Sequence, residues 1–162
     1  MVDYQTLSIV LTGIGMIIAL TYYGLQIRNQ NRTRQAQVFM QLYNRYLDIF
    51  QAHGFFETIL QKLSSYDDFM RKYNADEEFK QAMDCLLPFY EGLGVMVKEG
   101  YFSIHLVALM WTGMTRMLYE NIVEPMIDEA RVVSNLPRLW SETEWVCKEL
   151  LKYIEEHPEL KT

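Results

Sequence analysis

The chain has 162 residues, 50% of them hydrophobic and 14% aromatic, and a formal net charge of -6. That length and apolar content suffice for one packed domain and exclude a disordered tail. The charge is uneven: before Asp48 the bases Arg28, Arg32, Arg34 and Arg45 stand against Asp3 alone, whereas from Asp48 onward 20 acidic residues face 11 basic ones, and so acidic a body argues against a nucleic-acid ligand.

The first element is an apolar stretch from Leu7 to Leu25, nineteen residues without a charge, with Arg28, Arg32 and Arg34 directly after it. As a helix it spans roughly 28 Å, which matches a hydrocarbon core of about 30 Å. A secretory signal would place positive charge before the apolar run and small residues after it; here the arginines follow and Tyr22 and Tyr23 stand at the end. A buried core helix is the competing reading, because Ser8, Thr12 and Thr21 dilute the apolarity and Gly13, Gly15 and Gly24 weaken a helix in water. Glycines are ordinary in lipid, and Tyr4, Tyr22 and Tyr23 sit where an aromatic belt belongs. The expectation is a membrane span, residues 1–27, with the N-terminus outside and the remainder in the cytoplasm by the positive-inside rule.

A basic neck and juxtamembrane helix follows over residues 28–53, since no Gly or Pro interrupts the chain until Gly54. Val38, Phe39, Leu42, Tyr43, Tyr46, Leu47, Ile49 and Phe50 make a stripe too wide for a two-stranded coiled-coil seam, so it reads as a bundle face. Residues 54–162 should form a cytoplasmic bundle of about five helices, making the fold all-α: one N-terminal transmembrane helix continuing into that bundle. Within the bundle a helix is expected from about Phe55 to Leu63, then a short one carrying Phe69, Met70 and Tyr73. The next, capped by Asn74 or Asp76, runs through Phe79, Met83, Leu86, Leu87, Tyr90, Leu93 and Val97 to Gly100, with a kink at Pro88. Ser103 caps a helix that carries Leu106, Leu109, Met110, Met114, Met117 and Leu118. Pro125 opens a short helix ending near Asn135, and Ser141 with Glu144 reads as a capping box for the last helix, where Trp145, Leu150, Leu151 and Ile154 face inward until His157 and Pro158 end it.

Residues able to carry chemistry are sparse. His53 and Glu57 are four apart, but Gly54 between them argues against a shared helical face, and neither His105 nor His157 has a metal-binding spacing. Glu120, Glu124 and Asp128 recur every four residues and read as a solvated strip balanced by Arg116 and Arg131. Gly92 and Gly94 lie inside a helical pattern and suit close helix contact better than a phosphate cradle. Met110, Met114 and Met117 on one side of a helix suit either a repacking groove or core filling. Cys85 and Cys147, with no CxxC spacing, read as reduced core residues. No cofactor and no catalytic residue is expected.

Inside the apolar stretch, Ser8, Thr12, Gly15 and Ala19 recur at intervals of four, three and four, a stripe of small residues of the kind that lets membrane helices approach. Arg28, Arg32 and Arg34, with Tyr22 and Tyr23, are placed for lipid headgroups.

The run GLQIRNQNRTRQAQ from Gly24 resembles the junction of a broad, uncharacterised family of small prokaryotic membrane proteins, in which an N-terminal span leads into a helical cytoplasmic domain. The resemblance extends through FYEGLGVMVKEGYF, Phe89 to Phe102, and NLPRLW, Asn135 to Trp140. It implies fold and topology and transfers no reaction, cofactor or catalytic residue; Glu91 and Glu99 are expected to serve the bundle. The reading that results is a non-enzymatic single-pass protein acting by association, as a homo-oligomer or an accessory subunit of a membrane complex. Its partners would be membrane lipids and, through the transmembrane helix, itself or another membrane protein. Two readings stand beside it: a homo-oligomeric channel or sensor with Ser8 and Thr12 facing a pore, and a membrane-surface enzyme using His53 or the acidic strip.

Overall fold

A computed structural model describes residues 3–51 and 55–160. Helix α1 runs over Tyr4–Gln51, and α2 (Phe55–Leu60), α3 (Tyr66–Ala75), α4 (Glu77–Lys98), α5 (Ile104–Leu118), α6 (Glu124–Ser134) and α7 (Ser141–Glu156) follow. The fold of the described residues is all-α. The chain divides into two compact units, Met1–Gln41 and Leu42–Thr162.

In the first unit α1 is uninterrupted, and its apolar side chains are exposed from Leu7 through Leu25. It is the one helix among the described residues long and apolar enough to cross a membrane, and none of that apolar window is buried in the protein. A core helix would be covered by neighbours, so the buried-core reading of this stretch fails.

The second unit packs around α4, which buries Phe79, Ala82, Met83, Leu86, Tyr90 and Leu93 at helical spacing. Its ends are those the residues dictate. Asp76 takes the N-cap and accepts from the Phe79 N–H at 3.0 Å, and Gly100, at φ 73, closes the C-terminus by giving its N–H to the Val97 carbonyl. Ser103 caps α5 in the same way, accepting from the Leu106 N–H, and Asn135 ends α6 in the left-handed conformation.

The helices after α4 pack in ways that spacing alone does not show, and the capping box expected for α7 needs correction. Helix α5 buries Val107, Ala108, Trp111, Thr112, Thr115 and Leu118, while Leu106 and Leu109 are exposed and Met110, Met114 and Met117 are half-buried at the rim of the core. The two threonines tolerate burial because their hydroxyls are used, Thr115 with the Tyr90 hydroxyl at 3.0 Å and Thr112 with the Ala108 carbonyl.

Pro125 stands in the first turn of α6, the short helix that ends at Asn135 as expected. The chain passes from α5 to α6 through a π turn, Tyr119–Val123, in which the Glu124 N–H reaches the Tyr119 carbonyl. Proline has no N–H to give to the Asn121 carbonyl four residues back. That carbonyl accepts from the Leu63 N–H at 2.8 Å, while the Asn121 amide donates to the Ile59 carbonyl at 2.9 Å. The same pair of bonds explains why α2 stops at Leu60 and not at Leu63.

Contrary to expectation, Ser141 and Glu144 form no capping box. Trp140 occupies the N-cap of α7 at φ 50 without a side-chain cap, and the Ser141 hydroxyl turns to Glu142. The cap comes from elsewhere in the chain, as described below. Cys147 is buried and Cys85 half-buried, and both are free.

Candidate functional site

On α1, Ser8, Thr12, Gly15 and Ala19 share one face and all four are exposed. A Cβ added at Gly15 would meet nothing within 4 Å. The Thr12 hydroxyl donates to the Ser8 carbonyl at 2.8 Å, and Thr21 does the same to Ile17, so these polar groups are satisfied within the helix. Tyr22, Tyr23, Arg28 and Arg34 are exposed further along, and Arg32 lies in the same helix. Beyond the apolar stretch the surface turns polar, with Gln26, Asn29, Gln30, Thr33 and Arg34 on a common strip.

In the second unit the polar side chains that sequence spacing cannot pair are gathered where α4 meets α7, the most extensive helix contact of the bundle. Glu91 reaches across to the start of α7, where its Oε2 accepts from the Thr143 N–H at 2.9 Å and from the Thr143 hydroxyl at 3.0 Å. A carboxylate there satisfies an end N–H and meets the positive end of the helix dipole. One turn on, Gly94 brings the backbones together, and a further turn on Lys98 pairs with Glu142 and lies 4.6 Å from the centre of the Trp145 ring. Glu91, Gly94 and Lys98 therefore form one packing seam. The expectation that Gly94 serves helix contact holds, whereas Gly92 faces open space.

The histidines fall differently from their sequence positions. His53 lies outside the described residues. His105 Nδ1 is 3.0 Å from the Tyr153 hydroxyl, and the Tyr153 ring stacks on His157, which pairs with Glu159 at 3.0 Å. That cluster ties the start of α5 to the end of α7. Of the acidic strip, Glu120, Glu124 and Asp128 are exposed, with Arg116 on Glu120 at 2.7 Å. Arg131 reaches both ways: it lies 3.6 Å from Asp128 of the strip, meets Glu144 at 2.7 Å and gives its Nε–H to the Leu139 carbonyl, and Lys148 pairs with the same Glu144. Among the described residues no group of three or more His, Cys, Asp or Glu is arranged to hold a metal ion.

These ion pairs set an acid limit on the fold. The Lys98 ammonium holds the Glu142 carboxyl below its usual value of 4.5. Burial pulls the Glu144 carboxyl up, but the Lys148 and Arg131 hydrogen bonds outweigh it and leave it below 4.5 as well. A group whose folded value is depressed stabilises the fold above its unfolded value, and that contribution disappears as pH falls through the folded value. Thermal unfolding of the full chain in detergent, followed from about pH 6 to about pH 3, should show the midpoint falling below about pH 4.5. Glu144→Gln should lower the midpoint at neutral pH and make its fall in acid shallower; an unchanged acid slope would count against the pairing.

The residues thus define a class: an all-helical protein with one exposed apolar N-terminal helix of membrane-spanning length and a helical bundle whose polar contacts serve packing. Within that class the chain belongs to the family described as "Domain of unknown function (DUF4760)", whose profile matches residues 9–150 and so covers most of the apolar helix and nearly all of the bundle. No curated protein and no solved structure matches the chain.

Proposed function

We propose that this is a non-enzymatic single-pass protein of a prokaryotic cytoplasmic membrane, with its N-terminus outside and its bundle inside, which acts by association with itself or as an accessory subunit of a membrane complex. One observation carries the reading: the uncharged stretch Leu7–Leu25 is exposed along its whole length on a helix with no covering neighbour. A continuous apolar surface of that size calls for lipid or a partner. Thr12 and Thr21 bond back to carbonyls of their own helix, as lipid demands of polar groups with no water near. The excess of arginine after the stretch, against Asp3 before it, supports the orientation.

The contact between spans is assigned to Thr12, Gly15 and Ala19, with Ser8 at the end of the same stripe, and the headgroup contacts to Arg28, Arg32, Arg34, Tyr22 and Tyr23. Small side chains let two helices approach closely enough for their backbones to pack, which in lipid is a main source of association. Gly15→Leu adds bulk at the centre of that stripe while leaving the helix intact. Sedimentation of the full chain in detergent should then show association weakened by about tenfold, the equivalent of a contact of 1–2 kcal/mol. Unchanged assembly would remove this face as the contact.

A further inference from the structure

Between α3, α4 and the turn before α7 lies a cavity of about 310 Å³ that none of the packing described above uses. Four aromatic rings line it, beside Met70, Met83, Leu87 and Pro88. Phe69 forms the floor, with Tyr66 stacked on one side at 6.2 Å, Tyr73 stacked on the other at 5.6 Å, and Trp140 edge-on at 6.3 Å. At the rim stands Asp84. Its Oδ1 accepts from the Tyr73 hydroxyl at 2.6 Å, and its Oδ2 makes no hydrogen bond among the described residues.

Pro88, inside α4, also lines the cavity. Trp140 closes the cavity from a left-handed conformation, φ 50 and ψ 35, which costs a non-glycine residue of order 1 kcal/mol.

We infer that this cavity binds a small alkylammonium ion, its alkyl groups against Phe69 and Trp140 and its charged nitrogen toward the free oxygen of Asp84. Aromatic faces present negative quadrupole to a cation, and a carboxylate with no base paired to it supplies the net charge. The Asp84 carboxylate at the rim disfavours an anion, and a neutral ligand forgoes the ionic contact that a cation gains there. Lys80 already holds its ammonium 5.8 Å from the Tyr73 ring centre, the same pairing of cation and ring made within the chain. A volume near 300 Å³ is at the small end of ligand pockets and suits a headgroup-sized molecule.

The test is titration calorimetry on the full chain in a maltoside detergent with three probes: choline, n-butylammonium, and 3,3-dimethylbutanol, the neutral isostere of choline. Choline or butylammonium should bind about tenfold more tightly than the isostere, and Asp84→Asn should remove that preference while leaving the unfolding midpoint in place. Trp140→Gly keeps the left-handed backbone comfortable and deletes a wall, so it should weaken both cations about tenfold. Adding short-chain phosphatidylcholine separates the sources: competition with choline marks a lipid headgroup, and its absence, with choline still bound, marks a free amine. Equal binding of the isostere, an unaltered affinity in Asp84→Asn, or no heat from any probe at millimolar concentration would overturn the assignment.

Discussion

Gly94→Ala is expected to destabilise the bundle by about 3 kcal/mol, while Gly92→Ala, two residues away in the same helix, stabilises it by up to about 1 kcal/mol. The opposite signs come from one difference. A Cβ at Gly94 would lie 2.4 Å from the Glu142 carbonyl oxygen and 2.8 Å from its carbon, whereas one at Gly92 meets nothing within 4 Å. Replacing a mid-helix glycine by alanine reduces the backbone freedom lost on folding, so both variants share the same intrinsic gain. At Gly94 that gain is overwhelmed, because the obstructing atoms are backbone and no side chain can swing away. Relief requires α7 to move off α4. Moving it would lengthen the Glu91 bonds to Thr143 and the Lys98 pair with Glu142, so the cost spreads along the seam. Domains of this size hold about 5–15 kcal/mol, which makes such a loss a large fraction of the total. Urea unfolding of the two full-length variants beside the parent measures both signs, and a shift of both in the same direction would refute the close approach.

How much of this was legible beforehand depends on the distance over which each feature is determined. Asp76, Ser103, Gly100 and Asn135 mark helix ends from the residues alone, since a cap bonds within three or four positions of itself. The apolar stretch from Leu7 to Leu25 is equally local, a matter of length and charge. The burying face of α5 was not legible, because Leu106, Val107, Ala108, Leu109, Met110 and Trp111 leave that helix apolar all round and its period cannot choose a side. The cap on α7 was misread because its N-terminus takes Glu91, 52 residues from Thr143, in place of the nearby Ser141 and Glu144. The π turn had a local signal in Pro125, yet the carbonyl it frees finds its donor at Leu63. The aromatic cavity joins Phe69 to Trp140, two residues that no periodicity relates.

The same contacts account for the residues in two of the runs that carry the sequence resemblance. In the run from Phe89 to Phe102, Glu91 caps α7, Gly94 admits its backbone and Lys98 pairs with Glu142, so these three residues form a helix-packing seam. In the run from Asn135 to Trp140, Asn135 ends α6, Leu139 accepts from Arg131, and Trp140 starts α7.

Replacing Ile14 and Ile18 together by arginine should move the protein out of the membrane fraction, the largest effect expected of any substitution in the chain. Both side chains are exposed on α1 and lie near the middle of the apolar stretch. An arginine at the centre of a membrane helix costs about 2.5–3.5 kcal/mol on insertion scales, so the pair costs roughly 5–7 kcal/mol, more than a thousandfold in partition. Neither position contributes to the core of the second unit, and its circular dichroism and unfolding midpoint should stay those of the parent. The matched pair Ile14→Leu with Ile18→Leu keeps the hydrophobicity and should remain resistant to carbonate extraction. If the double-arginine protein also remains in the carbonate-washed pellet, hydrocarbon is not what covers this face. A partner protein that tolerates charge would then be the only cover left, and the apolar length of the helix would cease to argue for a span.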